Sequence, residues 1–475
     1  MKVFKNILLV ATLITFSSCE DWLDVNENPN ALVEIPSGEL MLKGTLLANA
    51  QIHKGHMLRA SMYYSGGLVG NQLVQQTIYV YNYSPGDSDP NWSHLYNGII
   101  AQNKKIRELS PNAEGLLGII DINEALGVGT AASIWGDIPY STAVPDNPGL
   151  GVFPTYDDQM DVYDDVQDLL DRGISTLTSA STGVGSADIF LNGNLNAWME
   201  VAHTLKARNY LQVKDYASAL AEVVNGISDP ANNLDFTPAG DVVAINANII
   251  YSLVSGSRAT DMSADGSFFY EDLMNPAGAN TRNHAKTDET ARRNYLYIDG
   301  DGGSANGIDA ALEPMPLVTY EENLLIWAEC LIRTGTAGSN NQAAIDKLNE
   351  LRTYLRSGNA FTNVSGSDPF TYDDYVLADF QNGGIENGDN IAVDRAILRE
   401  IIEERYVTGY TTYIPFNDLR RLRANDSDVL LPIPFNTATN TTHVERLLYP
   451  NAEVQSNPNI PSPLPDIFTS TMANQ

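Results

Sequence analysis

Four aromatic side chains fall within fourteen residues of one polar stretch: Tyr79, Tyr81, Tyr83 and Trp92, interleaved with Asn82, Ser84, Asp87, Asp89 and Asn91. If the segment is extended, the odd-numbered tyrosines point the same way. Flat rings beside amides and carboxylates suit sugar recognition, because pyranose C–H faces stack on the ring while hydroxyls bond to Asn and Asp. Phe268-Phe269-Tyr270-Glu271-Asp272 carries the same mixture. The candidate ligand-binding residues are therefore Tyr79, Tyr81, Tyr83, Asn91, Trp92, Phe269 and Tyr270. Trp92 offers the largest stacking face. The competing reading is that these rings fold back onto the core.

Other chemistries find less support. Gly127-Val-Gly129-Thr-Ala-Ala132 matches a relaxed dinucleotide fingerprint, but that motif needs a preceding strand, and its surroundings read as a small-residue helix. His53 and His56 could share a helix face, yet no third ligand stands at a sensible spacing, so no transition-metal site is expected. Asp299-Gly-Asp301 and the stretch from Asp261 to Gly266 are rich in oxygen ligands, but neither completes a calcium loop. A structural calcium ion stays open, and no other cofactor is expected. The acidic pairs Asp157/Asp158, Asp164/Asp165 and Glu403/Glu404 face about 100° apart on a helix and read as solvated faces, not catalytic dyads. No nucleophile–base signature is visible, so no catalytic residue is assigned. Cys330 sits in an apolar helical stripe and reads as a buried, inert thiol.

The balance of charge narrows the partners. With 28 basic against 59 acidic residues, a net charge of −31 repels phosphate backbones and argues against nucleic-acid binding. An apolar share of 43% over 475 residues can fill a sizeable core. At the start, Lys2 and Lys5 precede ten apolar or small residues and then Ser17-Ser18-Cys19. That reads as a secretory signal over residues 1–18, too short to span a bilayer, followed by a lipobox-like cysteine. Cys19 would carry the lipid, and residues 19–36 would form a tether and arm.

Helices must position these residues. Helical spacing covers residues 37–58, and Thr155-Tyr-Asp-Asp158 fits a capping box for a helix carrying Met160, Tyr163, Val166, Leu169 and Leu170. Residues 197–213 and 216–227 pair around Asp215 as a cap, and 321–333 and 343–355 pair around Gly335. Each pair is a helix, a short turn and an antiparallel helix, the unit of tetratricopeptide-like stacks. Long irregular stretches at 79–93, 229–247, 255–309 and 357–390 would cover this frame.

Together these pieces resemble one family, the SusD/RagB-like outer-membrane nutrient-binding lipoproteins of Bacteroidetes. The N-terminal Cys19-Glu-Asp-Trp-Leu-Asp-Val-Asn-Glu-Asn-Pro-Asn30, the turn Trp135-Gly-Asp-Ile-Pro-Tyr140 and the helix Leu205-Lys-Ala-Arg-Asn-Tyr-Leu211 each resemble a family signature. So do Glu329-Cys-Leu-Ile-Arg-Thr-Gly335 with Ala344-Ile-Asp-Lys-Leu-Asn-Glu-Leu-Arg352, Ile401-Ile-Glu-Glu-Arg405 with Asp418-Leu-Arg-Arg421, and the closing Pro432-Ile-Pro434 and Asn457-Pro-Asn459. The run Gly409-Tyr-Thr-Thr-Tyr-Ile-Pro-Phe416 departs from the family pattern and points to a divergent SusD-like branch. The resemblance implies a mostly α-helical fold, a single domain over 37–475, with four tetratricopeptide-like helix pairs under long ligand-binding loops. It further implies capture of oligosaccharides at the outer membrane and delivery to a SusC-like TonB-dependent barrel transporter. A peptide or other nutrient as cargo, or a surface glycoside hydrolase, are the alternatives.

Overall fold

The structure, a computed structural model, describes residues 37–144, 153–243, 246–255, 258–299 and 307–475. The leader, Cys19 and the 19–36 arm lie outside these residues. Eleven helices of eight residues or more carry the described fold. They are α1 (Glu39–Lys54), α2 (His56–Tyr64), α3 (Ala101–Leu109), α4 (Glu114–Trp135), α5 (Gln159–Ser179), α6 (Leu195–Gln212), α7 (Tyr216–Val223), α8 (Tyr320–Thr334), α9 (Asn341–Arg356), α10 (Val393–Thr408) and α11 (Ile414–Arg423). Helices α4/α5, α6/α7, α8/α9 and α10/α11 pack as four consecutive pairs, and successive pairs pack on one another. The mostly α architecture built from tetratricopeptide-like hairpins is thus the one the sequence implies.

The central helix α4 is mostly apolar and almost wholly buried, with Asp121 and Glu124 paired to Arg107. Its length and composition would suit a membrane span, but here they serve a core position. Its glycines allow close crossings. A Cβ on Gly118 would come within 2.4 Å of Leu177 on α5, and one on Gly129 within 2.9 Å of the Asn209 amide on α6. The fingerprint-like Gly127–Ala132 run is accordingly a helix-packing face.

Several local starts and stops follow from the sequence. Asp215 caps α7 by accepting from the Ser218 amide, and Gly335 ends α8. Two others do not. The helical run expected over 37–58 breaks at Gly55 into α1 and α2. The helix expected from Thr155 starts at Gln159, whose amide is capped from afar by Asp137 Oδ1 at 2.9 Å. Asp137 belongs to the turn after α4, where Gly136 has φ +80° and Asp157 Oδ2 accepts from the amides of Tyr140 and Ser141.

Three two-stranded antiparallel ribbons lie among the long connections: β1 (Val69–Gly70) with β3 (Met262–Ser263), β2 (Leu234–Phe236) with β5 (Met315–Val318), and β4 (Thr287–Asp288) with β6 (Thr371–Tyr372).

Behind the β4–β6 ribbon lies an acid-rich buried cluster. Arg282 reaches Glu404 at 2.6 Å, Glu400 at 3.1 Å, Glu289 at 3.3 Å and Glu403 at 3.5 Å. Arg292 adds a bond to Glu404 at 2.8 Å. Tyr375 donates to Glu386, which also meets His284 at 2.6 Å. The solvated face expected for Glu403/Glu404 is therefore corrected: Glu404 is buried, and Glu403 is directed at Arg282.

Burial pushes the Glu400 carboxyl up to about 8 and Glu403 up to about 7, with neighbouring glutamates reinforcing the shift against Arg282. The folded state holds these protons where the unfolded chain, with carboxyls near 4.5, has released them. Their contribution to stability is full below the unfolded value and fades as pH rises through 7 and 8. The melting temperature should accordingly be higher at about pH 5.5 than at about pH 8. Calorimetry on Glu400→Gln should show a flatter slope over that interval; an unchanged slope would discard this account.

Candidate ligand-binding surface

The segment expected to be an extended aromatic loop is mostly helical. A helix over Leu73–Tyr79, a 3₁₀ turn over Pro85–Asp87, a short helix over Asp89–Ser93 and a π-helical stretch over His94–Ile100 follow one another. The odd-numbered tyrosines therefore do not share a strand face.

Trp92 is 7% exposed and packs against Tyr96 at 4.6 Å, Trp135 at 5.0 Å and Tyr449 at 6.4 Å between ring centres. Tyr83 is buried, with its hydroxyl 2.9 Å from Ser88 Oγ. Asn91 donates to the Ile52 carbonyl at 3.0 Å, which Tyr413 also satisfies, close to the break after α1. Phe269 is fully buried and stacks on Tyr410 at 3.8 Å. These four candidates are core and scaffold residues in this structure. The rings that bury them come from distant parts of the chain, which no local pattern announces.

Tyr79, Tyr81 and Tyr270 remain partly exposed. Tyr81, at φ +70°, stacks on Tyr64 at 5.7 Å, and its hydroxyl accepts from the Asn436 amide. Tyr79 meets Tyr63 edge-on, and its carbonyl accepts from the Asn436 side chain. Both are held by the frame more than offered to solvent.

Tyr270 differs, because a residue overlooked in the sequence completes it. Tyr297 lies 4.7 Å away, and the Arg293 guanidinium sits 3.5 Å over the Tyr270 ring while Nε donates to the Tyr270 carbonyl. The Tyr297 hydroxyl donates to Asp265 at 3.1 Å, and Glu271 stands 3.8 Å from Arg293. Burial, with Asp265 reinforcing it, keeps the Tyr297 hydroxyl protonated well above its usual range. Burial also raises Tyr270, against the pull of Arg293. Both phenols remain donors at neutral pH. Aromatic faces, guanidinium donors and carboxylate acceptors in one partly exposed patch can meet a polyhydroxylated ligand.

The β1–β3 ribbon links the two aromatic regions. The Leu73–Tyr79 helix begins three residues after β1, and the Phe269–Leu273 turn follows β3. Asn71 and Gln72 reach across to Ser263 and Thr260. The signal for Tyr297 was available as an Asn-Tyr-Leu-Tyr run, but it falls inside a segment read as loop.

The remaining candidates do not form a second site. His53 is buried between the Asn49 carbonyl and Thr130, whereas His56 bonds to Asp87, so the two imidazoles do not share a ligand. Asp261 pairs with Arg258 and Asp265 with Tyr297. Asp301 lies outside the described residues. Among the described residues no three acidic, histidine or cysteine side chains gather to hold a metal. Cys330 is fully buried, and burial, then the Glu329 charge, pushes its thiol up to about 12.

A family model for SusD-like proteins, described as starch-binding and associating with the outer membrane, matches residues 29–450. No curated protein is similar enough in sequence to count as a relative. Among solved structures, a SusD/RagB family protein from Bacteroides thetaiotaomicron aligns with TM-score 0.64 at 18% identity, covering 89% of this chain and 95% of its own. A chitin-binding SusD homolog from Flavobacterium johnsoniae aligns with TM-score 0.61 at 16% identity, covering 91% and 97%. A SusD homolog from Bacteroides uniformis gives 0.61 at 18%, covering 92% and 99%. The frame, the order of its signatures and the extent of the match agree, and the chain belongs to the SusD-like family.

Proposed function

We propose that this protein is a cell-surface lipoprotein that captures oligosaccharides and passes them to a SusC-like TonB-dependent transporter. The observation that carries the reading is the family match over residues 29–450 to proteins described as starch-binding and associating with the outer membrane. The similar Flavobacterium protein, described as chitin-binding, supports a glycan as cargo. In this proposal residues 1–18 are removed, Cys19 carries the lipid, 19–36 form the tether and 37–475 the binding body. The ligand surface is the Tyr270–Tyr297 pair with Arg293 and Asp265, and it acts by binding alone. Tyr79 and Tyr81, held by Tyr63, Tyr64 and Asn436, belong to the frame on the β1 side of the ribbon.

A glycan array should return at least one oligosaccharide class. For that ligand Tyr297→Ala or Tyr270→Ala should cost about 2 kcal/mol, roughly thirtyfold in affinity. Trp92→Ala should instead lower stability by about 3–5 kcal/mol while affinity at a temperature where the variant is folded stays within a few-fold. The reverse pattern would return the site to Trp92.

Anchoring has its own test. Cys19→Ala should release the protein from the membrane fraction and abolish incorporation of a fatty-acid analogue. Labelling that persists in the variant would sink the lipobox reading.

A further inference from the structure

A cavity of about 260 Å³ lies beside the β2–β5 ribbon, closed by the start of α8, the end of α9 and the residues after α10. It has room for several waters, at roughly 30 Å³ each, and falls just under the range of about 300–1,000 Å³ that takes drug-sized ligands. Its apolar walls include Tyr295, Tyr354 and Phe361, and the exposed residues Pro314 and Asn359 form part of its rim.

The charged lining is three carboxylates against one guanidinium, that of Arg292. Asp235, Glu313 and Glu321 all face this cavity. Glu313 accepts from the Tyr295 hydroxyl at 2.8 Å. Asp235 Oδ1 and Glu321 Oε2 are buried and have no hydrogen-bond partner. The cations nearby are committed elsewhere. Lys54 donates to the Thr411 carbonyl at 2.6 Å, and Arg292 is bound to Glu404 and Thr408 at 2.8 Å each. Tyr410 points its hydroxyl at the Gly67 carbonyl.

Two buried carboxylate oxygens without partners are costly, and hydrogen-bond donors carrying positive charge would relieve them. Burial, then Glu321, pushes the Asp235 carboxyl up to about 7, and burial brings Lys54 down to about 7 against the pull of Asp235. A bare divalent ion needs six or more converging oxygens, and among the described residues no three acidic, histidine or cysteine side chains are placed to hold one. A primary ammonium offers three donors to separated acceptors, and its carbon body can lie against Phe361 and Tyr295.

We propose that this cavity binds a small primary amine of about monosaccharide size, its ammonium held by Asp235 and Glu321. The site is separate from the Tyr270–Tyr297 surface and does not rest on the glycan reading.

Calorimetric titration of the purified protein at neutral pH tests it, with glucosamine and putrescine as probes and glucose and N-acetylglucosamine as uncharged controls. Glucosamine or putrescine should bind at least tenfold more tightly than either control, and whichever of the two wins distinguishes a sugar body from an aliphatic one. Asp235→Asn and Glu321→Gln should each weaken that binding at least tenfold. Both keep the side chain's size and replace a carboxyl whose ionisation burial opposes, so the variants should melt no lower than the parent. Tyr297→Ala should leave amine binding unchanged. Binding of neither amine, equal binding of glucose, undiminished binding by both variants, or displacement of the amine by calcium would each overturn the proposal.

Discussion

A glutamate with no exposure to solvent organises the second half of the molecule. Glu329 on α8 takes both Arg421 nitrogens from α11 at 2.7 Å, Arg333 Nε from its own helix at 2.7 Å and lies 3.7 Å from Arg405 on α10. Asp418 closes the ring by bonding Arg405 and Arg421. Burial opposes ionisation of Glu329, but the Arg421 and Arg333 charges outweigh it and hold the carboxyl well below its usual range. Removing one member would strand the other charges, which typically costs about 3–5 kcal/mol, whereas the intact network adds little beyond neutral. Its role is therefore to fix how α8, α10 and α11 meet rather than to supply net stability.

That constraint explains which parts of the sequence were legible. The residues that stood out as signatures, Glu329 with Arg333, Arg405, and Asp418 with Arg421, are the members of this one network. Arg208 of the Lys-Ala-Arg run likewise grips Glu322 at 2.5 Å, and Arg352 reaches the carbonyls of Asp373 and Lys286 across the β4–β6 ribbon. Buried charges tolerate few substitutes, so the frame leaves a strong imprint on sequence. Hairpins with a regular apolar stripe, such as α8/α9, were readable for the same reason: their periodicity is set locally.

The misreadings share a cause, which is that the deciding contact is remote. Nothing near Thr155 reveals that Asp137 caps α5 at Gln159. Nothing near Glu403 reveals Arg282, 121 positions away, so in sequence a buried cluster looks like a solvated face. The aromatic run from Tyr79 to Trp92 contains the Pro, Gly and Asp of a loop. Only the arrival of Trp135 and Tyr449 makes Trp92 part of a core. An aromatic ring has the same sequence appearance whether it stacks on a sugar or on another ring.

The frame then limits where a ligand surface can vary. The backbone just before the β1–β3 ribbon is pinned from below: Tyr406 and Tyr410, at the end of α10, donate to the carbonyls of Ser65 and Gly67. Gly66 between them has φ +73°, and a Cβ there would come within 2.8 Å of Ile433 and 3.2 Å of Phe268. Phe268 and Phe269 sit on those same tyrosines, so the first half of the Phe268–Asp272 patch is fixed by the frame. Its next residue, Tyr270, emerges beside Arg293 and Tyr297. Side chains so placed can change without disturbing α10, because Tyr270 contacts Arg293 and Tyr297 and not the Glu329 network. A rigid ledge carrying replaceable side chains lets one helical frame present different surfaces, which is why frame signatures identify the family without specifying what its exposed residues meet.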